Sequence, residues 1–392
     1  MNFLIAFAVV MIFMTLGEWV ATATKAFIPS VFITAVLFVI VLPKNVVENA
    51  SFGPGFITIC IALLLVHLGT LMNLRELLAQ WKAVCIALLG VCGTLLLTLT
   101  VGTLIFDWKT VVAAVPPLTG GLISALLMSN GLKAQGLASL VALPVAMFVI
   151  HSVVGYPLTS VLLKQESRRL LSHFRANGSK LDPNVPKMRR GAEEVKDNRP
   201  KLLNLPEKYQ TSAFIMARVA IVGLLAMGFG TLTNNVINSN VVCLIFGVIA
   251  HQIGFLEDNA LNKAGVFNWL MYGLLAYVFG QLSATTPAVL GGIVLQIIVL
   301  IALGVLGMFL ASRLLAKPFG MSWQMAFSCS LTALFGFPAD YILTSEVARA
   351  MATTEDEEEY LTQQMMPKML VGGFATVSVA SVIIATIFLK LL

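Results

Sequence analysis

The pattern of hydrophobic and polar residues divides the chain into long apolar segments separated by short polar ones. Segments such as Met1 to Ala23, Val84 to Phe106 and Leu290 to Leu310 are close to the roughly 20 residues that an α-helix needs to cross a bilayer. They lack the alternation of apolar and polar positions that is typical of transmembrane β-strands. The pattern therefore predicts an all-α integral membrane protein with many crossings.

One long polar stretch, residues 164–208, interrupts this pattern near the middle of the chain. It carries twelve Lys or Arg against six Asp or Glu, and this excess of +6 equals the formal net charge of the whole protein. Basic loops of this kind are retained in the cytoplasm. We therefore divide the chain into a first half, residues 1–163, a cytoplasmic linker, residues 164–208, and a second half, residues 209–392.

The two halves resemble each other. Each contains a long helix, a short one, a third, a long fourth, an interrupted segment and a last long helix. Identical residues also recur at a nearly constant spacing of 211 to 213 positions: Met14 and Met227, Gly17 and Gly230, Phe56 and Phe267, Gly69 and Gly280, and Leu118-Thr119 and Leu331-Thr332. We interpret this correspondence as an internal repeat.

The charges of the short loops indicate the topology. If residues 111–131 and 325–348 each enter and leave the membrane on one side, each half has five crossings and the two halves are inverted. Most cations outside the linker then lie in the cytoplasm, as the positive-inside rule requires: Lys25, Arg75, Lys82, Lys263, Arg313, Lys317, Arg349 and Lys368. The sequence thus predicts two inverted repeats, each of five transmembrane helices plus one re-entrant or broken helix, in the cytoplasmic membrane with both termini outside.

The first interrupted segment reads VPPLTGGLISALLMSNG and contains two prolines and two glycines within six residues. Proline removes a backbone donor, and unpaired backbone groups are tolerated at membrane depth only against protein or a watery cavity. A helix that begins near residues 119–122 would direct its positive dipole end at an anion. The residues predicted to bind a solute or a cation here are Thr119, Gly120, Gly121, Ser124, Ser129 and Asn130. The alternative is a kink whose hydroxyls bond to their own helix.

The second interrupted segment, SCSLTALFGFPADY, contains a similar mixture of breaks and small polar residues, with Ser330, Thr332 and Gly336 as binding candidates. A carboxylate at membrane depth costs about 3 kcal/mol unless it meets a cation or a proton, so Asp340 is predicted to be functional. Asp340 is also the centre of a predicted sodium site, with Ser328 and the two tip threonines, Thr119 and Thr332. The alternative is that Asp340 lies at the cytoplasmic mouth or caps the following helix.

Polar residues of the third helices form a further set of candidates. Thr70 and Gln281 occupy matching positions, and with His67 they are predicted to line the cavity where the two interrupted segments meet. Packing within the helices is the alternative. The sequence contains no nucleotide-binding loop or metal-ligand cluster. We therefore expect no enzymatic activity, no cofactor and no nucleic-acid partner, and expect sodium only as a coupling ion.

Over essentially its whole length the chain resembles the glutamate/sodium symporter family, most clearly at HLGTLMNLRELL (residues 67–78), LTGG (118–121) and LTALFGFPA (331–339). It is also similar in architecture to the 2-hydroxycarboxylate transporters. The resemblance implies a homodimer with scaffold and moving core domains, and an elevator motion that carries a small carboxylate and sodium held between hairpin tips. We expect the first, second and fourth helices of each half to form the scaffold. The glycine-glycine-any-glycine pattern of the family is incomplete in both segments.

These observations predict a secondary active transporter, a sodium-coupled symporter of a small organic anion or an amino acid such as glutamate. Two alternatives stay open. One is a cation/proton antiporter, in which Asp340 alternates between a proton and a cation. The other is an exporter of an amino acid or metabolite built on the same fold.

Overall fold

The computed structural model describes residues 3–25, 28, 30–41, 54–70, 80–176, 178, 209–233, 239–282 and 287–392. Every regular element among these residues is helical. Five of the helices are long and apolar enough to cross a membrane: Leu4–Ala23, Trp81–Ile105, Ala146–Ala176, Ser212–Leu232 and Ile293–Ala316. The predicted all-α membrane character of the protein is confirmed at this level.

The helices follow the order expected from the sequence. Those of the first half are α1 Phe3–Ala23, α2 Ser30–Val41, α3 Pro54–Thr70, α4 Trp81–Ile105, α5 Trp108–Ala134 and α6 Ala142–Ala176. Those of the second half are α7 Ser212–Leu232, α8 Ser239–Gln252, α9 Ala260–Lys263, α10 Phe267–Leu282, α11 Pro287–Ala316, α12 Trp323–Leu331, α13 Ala339–Met351, α14 Glu355–Phe374 and α15 Ser381–Leu389. A π-helical turn, Ala375–Ala380, joins α14 to α15, which together form the last long helix.

The helices pack as two bundles. The first bundle contains α1 to α3 and α7 to α10, and the second contains α4 to α6 and α11 to α15. The third helix of each half, α3 or α10, therefore packs with the first and second helices. The fourth helix, α4 or α11, packs with the interrupted segments. The expectation that the fourth helices join the first and second is wrong.

Close contacts between glycines account for this grouping. A Cβ atom on Gly93 of α4 would lie 2.4 Å from the carbonyl oxygen of Gly307 in α11, and one on Gly307 would lie 2.3 Å from that of Gly93. In the first bundle, a Cβ on Gly69 of α3 would lie 2.6 Å from the carbonyl of Leu244 in α8. Small residues let backbones approach closely in membranes, so each of these pairs of helices packs backbone to backbone.

Helix α6 extends beyond the expected start of the polar linker. Residues 164–176 are helical. Of the rest of the linker, only residue 178 belongs to the described residues. Leu170, Leu171 and Phe174 are buried along this extension, while Glu166 pairs with Arg169 at 2.5 Å. An apolar stripe with charged residues beside it stabilises a helix against the bundle, although its composition is polar.

The first interrupted segment, α5, is a helical hairpin. The chain departs from helical geometry at Gly120 (φ −169°, ψ 19°) and Gly121 (φ 63°, ψ −141°). The indole N–H of Trp108, at the start of α5, donates to the carbonyl of Leu391 at 3.2 Å. The side-chain amide of Gln135, just after α5, donates to the carbonyl of Leu389 at 2.8 Å. Both ends of α5 therefore lie at the same end of the last helix.

The second interrupted segment, α12 and α13, is also a hairpin. Its tip lies against the middle of α6, where the hydroxyl of Ser152 donates to the carbonyl of Leu334 at 3.2 Å. Just before α12, the hydroxyl of Ser322 donates to Glu166 at 2.6 Å. Just after α13, the hydroxyl of Thr353 accepts a hydrogen bond from Arg175 at 3.5 Å. Both arms thus run from the tip toward the C-terminal end of α6.

Asp107 is the N-cap of the first hairpin. Its carboxylate accepts a hydrogen bond from the backbone N–H of Thr110 at 3.0 Å. Hydrogen bonds from the side chain and then the backbone of Thr110 lower the pKa of Asp107 below its ordinary value. The cap is therefore present above the ordinary pKa of an aspartate and is lost as the pH falls through the lowered pKa.

We expect Asp107→Ala to lower the free energy of unfolding by about 1 kcal/mol, because the first turn of α5 loses its acceptor. Asp107→Asn keeps an acceptor and is expected to change stability little at pH 7. Unfolding followed at pH 7 and at about pH 3 should show a loss of the cap in acid for the wild type but not for the asparagine variant. Equal losses in both variants at pH 7 would contradict a capping role.

Candidate functional site

The tips of the two hairpins converge on one residue of the last helix. A Cβ atom on Gly121 would lie 3.9 Å from Cγ1 of Val377, and one on Gly336 would lie 2.7 Å from its Cγ2. Val377 belongs to the π-helical turn between α14 and α15. Both glycines have positive φ, 63° and 61°, a region that residues with side chains rarely adopt. The sequence-predicted breaks are therefore brought together in space.

The hairpins reach this point from opposite ends of the last helix. The base of the first hairpin lies at the end of α15, where Trp108 bonds to Leu391. The base of the second lies at the start of α14, because Arg175, which bonds to the chain after α13, also forms an ion pair with Glu357 at 2.6 Å. Val377 lies between these two ends.

Each tip brings two helix ends together, the C-terminal end of one arm and the N-terminal end of the other. Helix N-termini carry a partial positive charge and C-termini a partial negative charge, so the tips offer sites for an anion and for a cation. Thr119 donates to the carbonyl of Pro116 at 2.7 Å, and Thr332 donates to that of Cys329 at 2.6 Å. Both hydroxyl protons are thus used within their arms, while the oxygen lone pairs remain acceptors.

Asp340 lies in the first turn of α13, directly after the second tip, and is fully buried. Its Oδ1 accepts a hydrogen bond from the backbone N–H of Tyr341 at 2.7 Å. Its Oδ2 has no hydrogen-bond partner among the described residues. The N-cap residue of α13 is Pro338, which makes no side-chain capping bond, and the carboxylate of Asp340 instead satisfies a first-turn N–H of α13 from a fully buried position, not from an exposed mouth.

Two glycines of α14 make room for these polar groups. A Cβ atom on Gly373 would lie 2.4 Å from Oδ2 of Asp340, and one on Gly372 would lie 3.3 Å from the hydroxyl of Thr332. The carboxylate and the hydroxyl thus pack against the backbone of the last helix. We did not identify this glycine pair from the sequence, although the letters VGGF within an apolar segment were its signal.

Two other predicted hydroxyls are buried in the hairpin arms. Ser124 follows the first tip and Ser328 precedes the second, and neither oxygen has a hydrogen-bond partner among the described residues. Buried hydroxyls normally have partners, so a bound ion, water or solute would satisfy them. The predicted cation site around Asp340 and Ser328 stays a prediction, and no group of three or more His, Cys, Asp or Glu that could hold a metal ion occurs in the described part of the chain.

Two other predicted hydroxyls, those of Ser330 and Ser129, bond to neighbouring segments. Ser330 donates to the carbonyl of Ile86 at 3.2 Å, which ties α12 to α4. Ser129 lies about two turns beyond the first tip and donates to the carbonyl of Val141 at 2.9 Å. Their hydroxyls hold the hairpins to neighbouring segments. The side chain of Asn130 lies outside the described residues.

The polar residues of α3 lie within the first bundle. Nδ1 of His67 accepts a hydrogen bond from the backbone N–H of Leu261 at 3.1 Å, and its ring centre lies 5.0 Å from that of Phe267. Thr70 donates to the carbonyl of His67 at 2.7 Å. Both side chains are buried, and the contacts of His67 are with α9 and α10 of the first bundle. The side chain of Gln281 lies outside the described residues.

A short stretch of α6 contacts both tips, and sequence reasoning missed it. A Cβ on Gly121 would lie 3.8 Å from the ring of Phe148, and Ser152, one turn later, bonds to Leu334. The buried His151 lies between them, with its ring centre 5.6 Å from that of Phe148. Nothing in the local sequence distinguishes these residues from ordinary core residues, because their role depends on where the tips meet.

Comparisons with known proteins supply no further information about this site. No protein-family model matches the chain, and no curated protein sequence matches it.

Proposed function

We propose that this protein is a secondary active transporter, a sodium-coupled symporter of a small organic anion or amino acid, with its site at the two hairpin tips. The observation that carries the proposal is the convergence of Gly121 and Gly336 on Val377 from opposite ends of the last helix. Broken helices at membrane depth are tolerated where they line a cavity, and transporters use their exposed ends to bind ions and solutes.

Reciprocal contacts support two inverted repeats. Gly93 and Gly307 are 214 positions apart, and each packs on the carbonyl of the other, which is the contact that a two-fold axis produces. The tip threonines, 213 positions apart, make the same hydrogen bond to the third residue before them. The tip glycines with positive φ are 215 apart, which implies a second tip longer by two residues.

In the proposed mechanism, the second bundle carries the site and moves against the first. The bundles meet where α2 packs on α6 and α13, and the backbone N–H of Ser30 donates to Glu346 at 3.1 Å across this boundary. We propose that the second bundle slides in an elevator motion, that a homodimer anchors the first bundle, and that both termini lie outside the cytoplasmic membrane.

Coupling is assigned to the buried carboxylate. A sodium ion bound at Oδ2 of Asp340, with the hydroxyls and carbonyls of the tips, would satisfy a buried charge that otherwise costs free energy. The N-terminal helix ends at the tips would attract the carboxylate of the solute. Each ligand thus stabilises the closed arrangement of tips that the other requires, which is reciprocal coupling.

Uptake into proteoliposomes tests the proposal. Radiolabelled amino acids and dicarboxylates are supplied with an inward sodium gradient and, as a control, with an equal potassium gradient. We expect at least one solute to accumulate about tenfold or more above the control, because each 1.4 kcal/mol of gradient energy corresponds to a tenfold ratio. Equal entry under both gradients for every solute would reject sodium coupling.

A cation/proton antiporter is the second candidate, because a buried acid, Asp340, directly follows the second tip and could alternate between a proton and a cation. In that case, a pH-sensitive dye inside the vesicles would respond to added sodium or potassium while no organic solute entered. Symport predicts the opposite pair of results.

A further inference from the structure

His151 is a fully buried histidine on the stretch of α6 that contacts both hairpin tips. Its neighbour Ser152 donates to the carbonyl of Leu334 in the second tip at 3.2 Å, and the same carbonyl also lies beside the imidazole ring. The ring centre of His151 lies 5.6 Å from that of Phe148, the residue that faces Gly121 of the first tip. The ring therefore lies where α6 packs on both tips.

One nitrogen of this ring is bonded and the other is not. Nδ1 lies 2.7 Å from the carbonyl oxygen of Met147, and a carbonyl only accepts, so Nδ1 carries a proton and donates it. In the neutral ring Nε2 then has a lone pair, and it has no hydrogen-bond partner among the described residues. The carbonyl of Leu334 does not satisfy this lone pair, because both groups are acceptors. A donor from a bound molecule would satisfy it.

The hydroxyls around the tips also offer acceptors. Thr119 and Thr332 donate their protons to carbonyls of their own arms, and Ser152 donates to two backbone carbonyls. The lone pairs of these three oxygens remain. The hydroxyls of Ser124 and Ser328 have no partner among the described residues and can turn to accept as well. An ammonium group, with three donors and no acceptor, is the complement of such a set.

The first tip leaves space for a carboxylate on the side of this ring. A Cβ atom on Gly121 would have its nearest neighbours in the ring of Phe148 and the side chain of Val377, at the ordinary contact distances of 3.8 and 3.9 Å. The second arm of α5, residues 122–134, begins here, and the first N–H groups of a helix have no acceptor within it. A carboxylate bound to these N–H groups lies beside Phe148 and His151.

We propose that Nε2 of His151 binds the ammonium group of an α-amino acid whose carboxylate lies at the start of the second arm of α5. This assignment rests on the proposed function and narrows its solute from organic anions in general to amino acids. The two groups of an α-amino acid are attached to one carbon atom, so the two subsites have to adjoin, as they do at the first tip. Sodium stays assigned to Asp340, because hard cations prefer oxygen ligands to nitrogen.

Thermal unfolding of the purified full chain, in detergent with sodium, tests the ligand. Each of the twenty standard L-amino acids is titrated beside two analogues, in which hydrogen or a hydroxyl replaces the ammonium group. We expect a saturable rise of Tm with at least one amino acid. Its deaminated analogue should bind with a Kd about tenfold or more weaker, because a hydrogen bond from a charged group is lost. The hydroxy analogue, with one donor instead of three, should also bind more weakly.

Two variants of His151 test the nitrogen. The amide of His151→Asn reaches the position of Nδ1 and can keep the bond to Met147, but it leaves no acceptor at the position of Nε2. We expect this variant to bind the amino acid about tenfold or more weakly and the deaminated analogue unchanged. His151→Gln returns an amide to the position of Nε2 and should recover part of the affinity. His173→Asn, the same change at an exposed histidine of α6, should leave every Kd unchanged.

Several results would overturn the assignment. Equal weakening of the amino acid and its deaminated analogue in His151→Asn would indicate a purely structural role, and an unchanged Kd would exclude a contact. Wild-type protein that binds the deaminated or hydroxy analogue as tightly as the amino acid would also reject it, and this comparison needs no variant to fold. So would the absence of a saturable shift for every amino acid, even if vesicles accumulate a dicarboxylate. Binding as expected without vesicle uptake would instead reject only the transport function.

Discussion

Replacing Asp340 with asparagine is expected to reduce sodium-driven uptake about tenfold or more while leaving the protein folded. The carboxylate is fully buried, and its Oδ2 has no hydrogen-bond partner among the described residues. A contact between an ion and a charged group is worth roughly 1.5–3 kcal/mol, or about tenfold to a hundredfold in binding. The neutral amide has the same shape and cannot supply this charge.

The thermal stability of the Asp340→Asn variant is not expected to fall with its uptake. Burial of an unpaired carboxylate costs free energy, so its neutral replacement should keep or raise Tm measured without sodium. Sodium should raise the Tm of the wild type and have a smaller effect on the Asp340→Asn variant. Asp356→Asn, at an exposed acid in the first turn of α14, is the matched control. Unchanged uptake and unchanged sodium dependence in Asp340→Asn would show that this carboxylate has no coupling role.

Gly120→Ala is expected to have the largest effect on the structure of the tips. A Cβ atom on Gly120 would lie 1.8 Å from Cβ and 2.7 Å from Cα of Ser381, at the start of α15. The backbone of Gly120 is extended at φ −169°, so the cost comes from lack of space. Since overpacking typically costs 1–3 kcal/mol, we expect a Tm lower by several degrees and loss of most uptake.

A control and a double variant make this prediction specific. Gly228→Ala in α7 adds the same methyl group where no atom lies within 4 Å, and it should leave Tm and uptake unchanged. The double variant Gly120→Ala with Ser381→Gly removes the nearest clashing atom and should recover part of both. Equal effects of Gly120→Ala and Gly228→Ala would show that the first tip does not pack against α15 as described.

The order of the helices and most of their lengths could be predicted from the sequence, because a helix that crosses a lipid bilayer needs a continuous apolar segment. Apolar segments of about 20 residues and the charges between them depend only on local composition. The breaks were predictable for the same reason: proline and glycine act on their own backbone, and the chain departs from helical geometry at Gly120 and Gly121. The extension of α6 was missed because its charged residues are paired across the fold, as Arg175 is with Glu357.

The grouping of helices could not be read from the sequence. Gly69 and Gly93 look alike as glycines within apolar helices, yet the first packs on α8 and the second on α11. Which backbone a glycine admits depends on the partner that the fold provides. Prediction therefore placed the fourth helices with the wrong bundle.

The sequence by itself determined that this chain is built from apolar helices, where they break, and which polar residues stand at the breaks. Only the tertiary structure decided that the two breaks meet at Val377, that Asp340 lies against Gly373, and that Ser129, Ser330 and His67 serve packing. The physical reason is the range of each effect. Helix formation and breaking depend on neighbours in the chain, whereas a site depends on contacts between residues hundreds of positions apart.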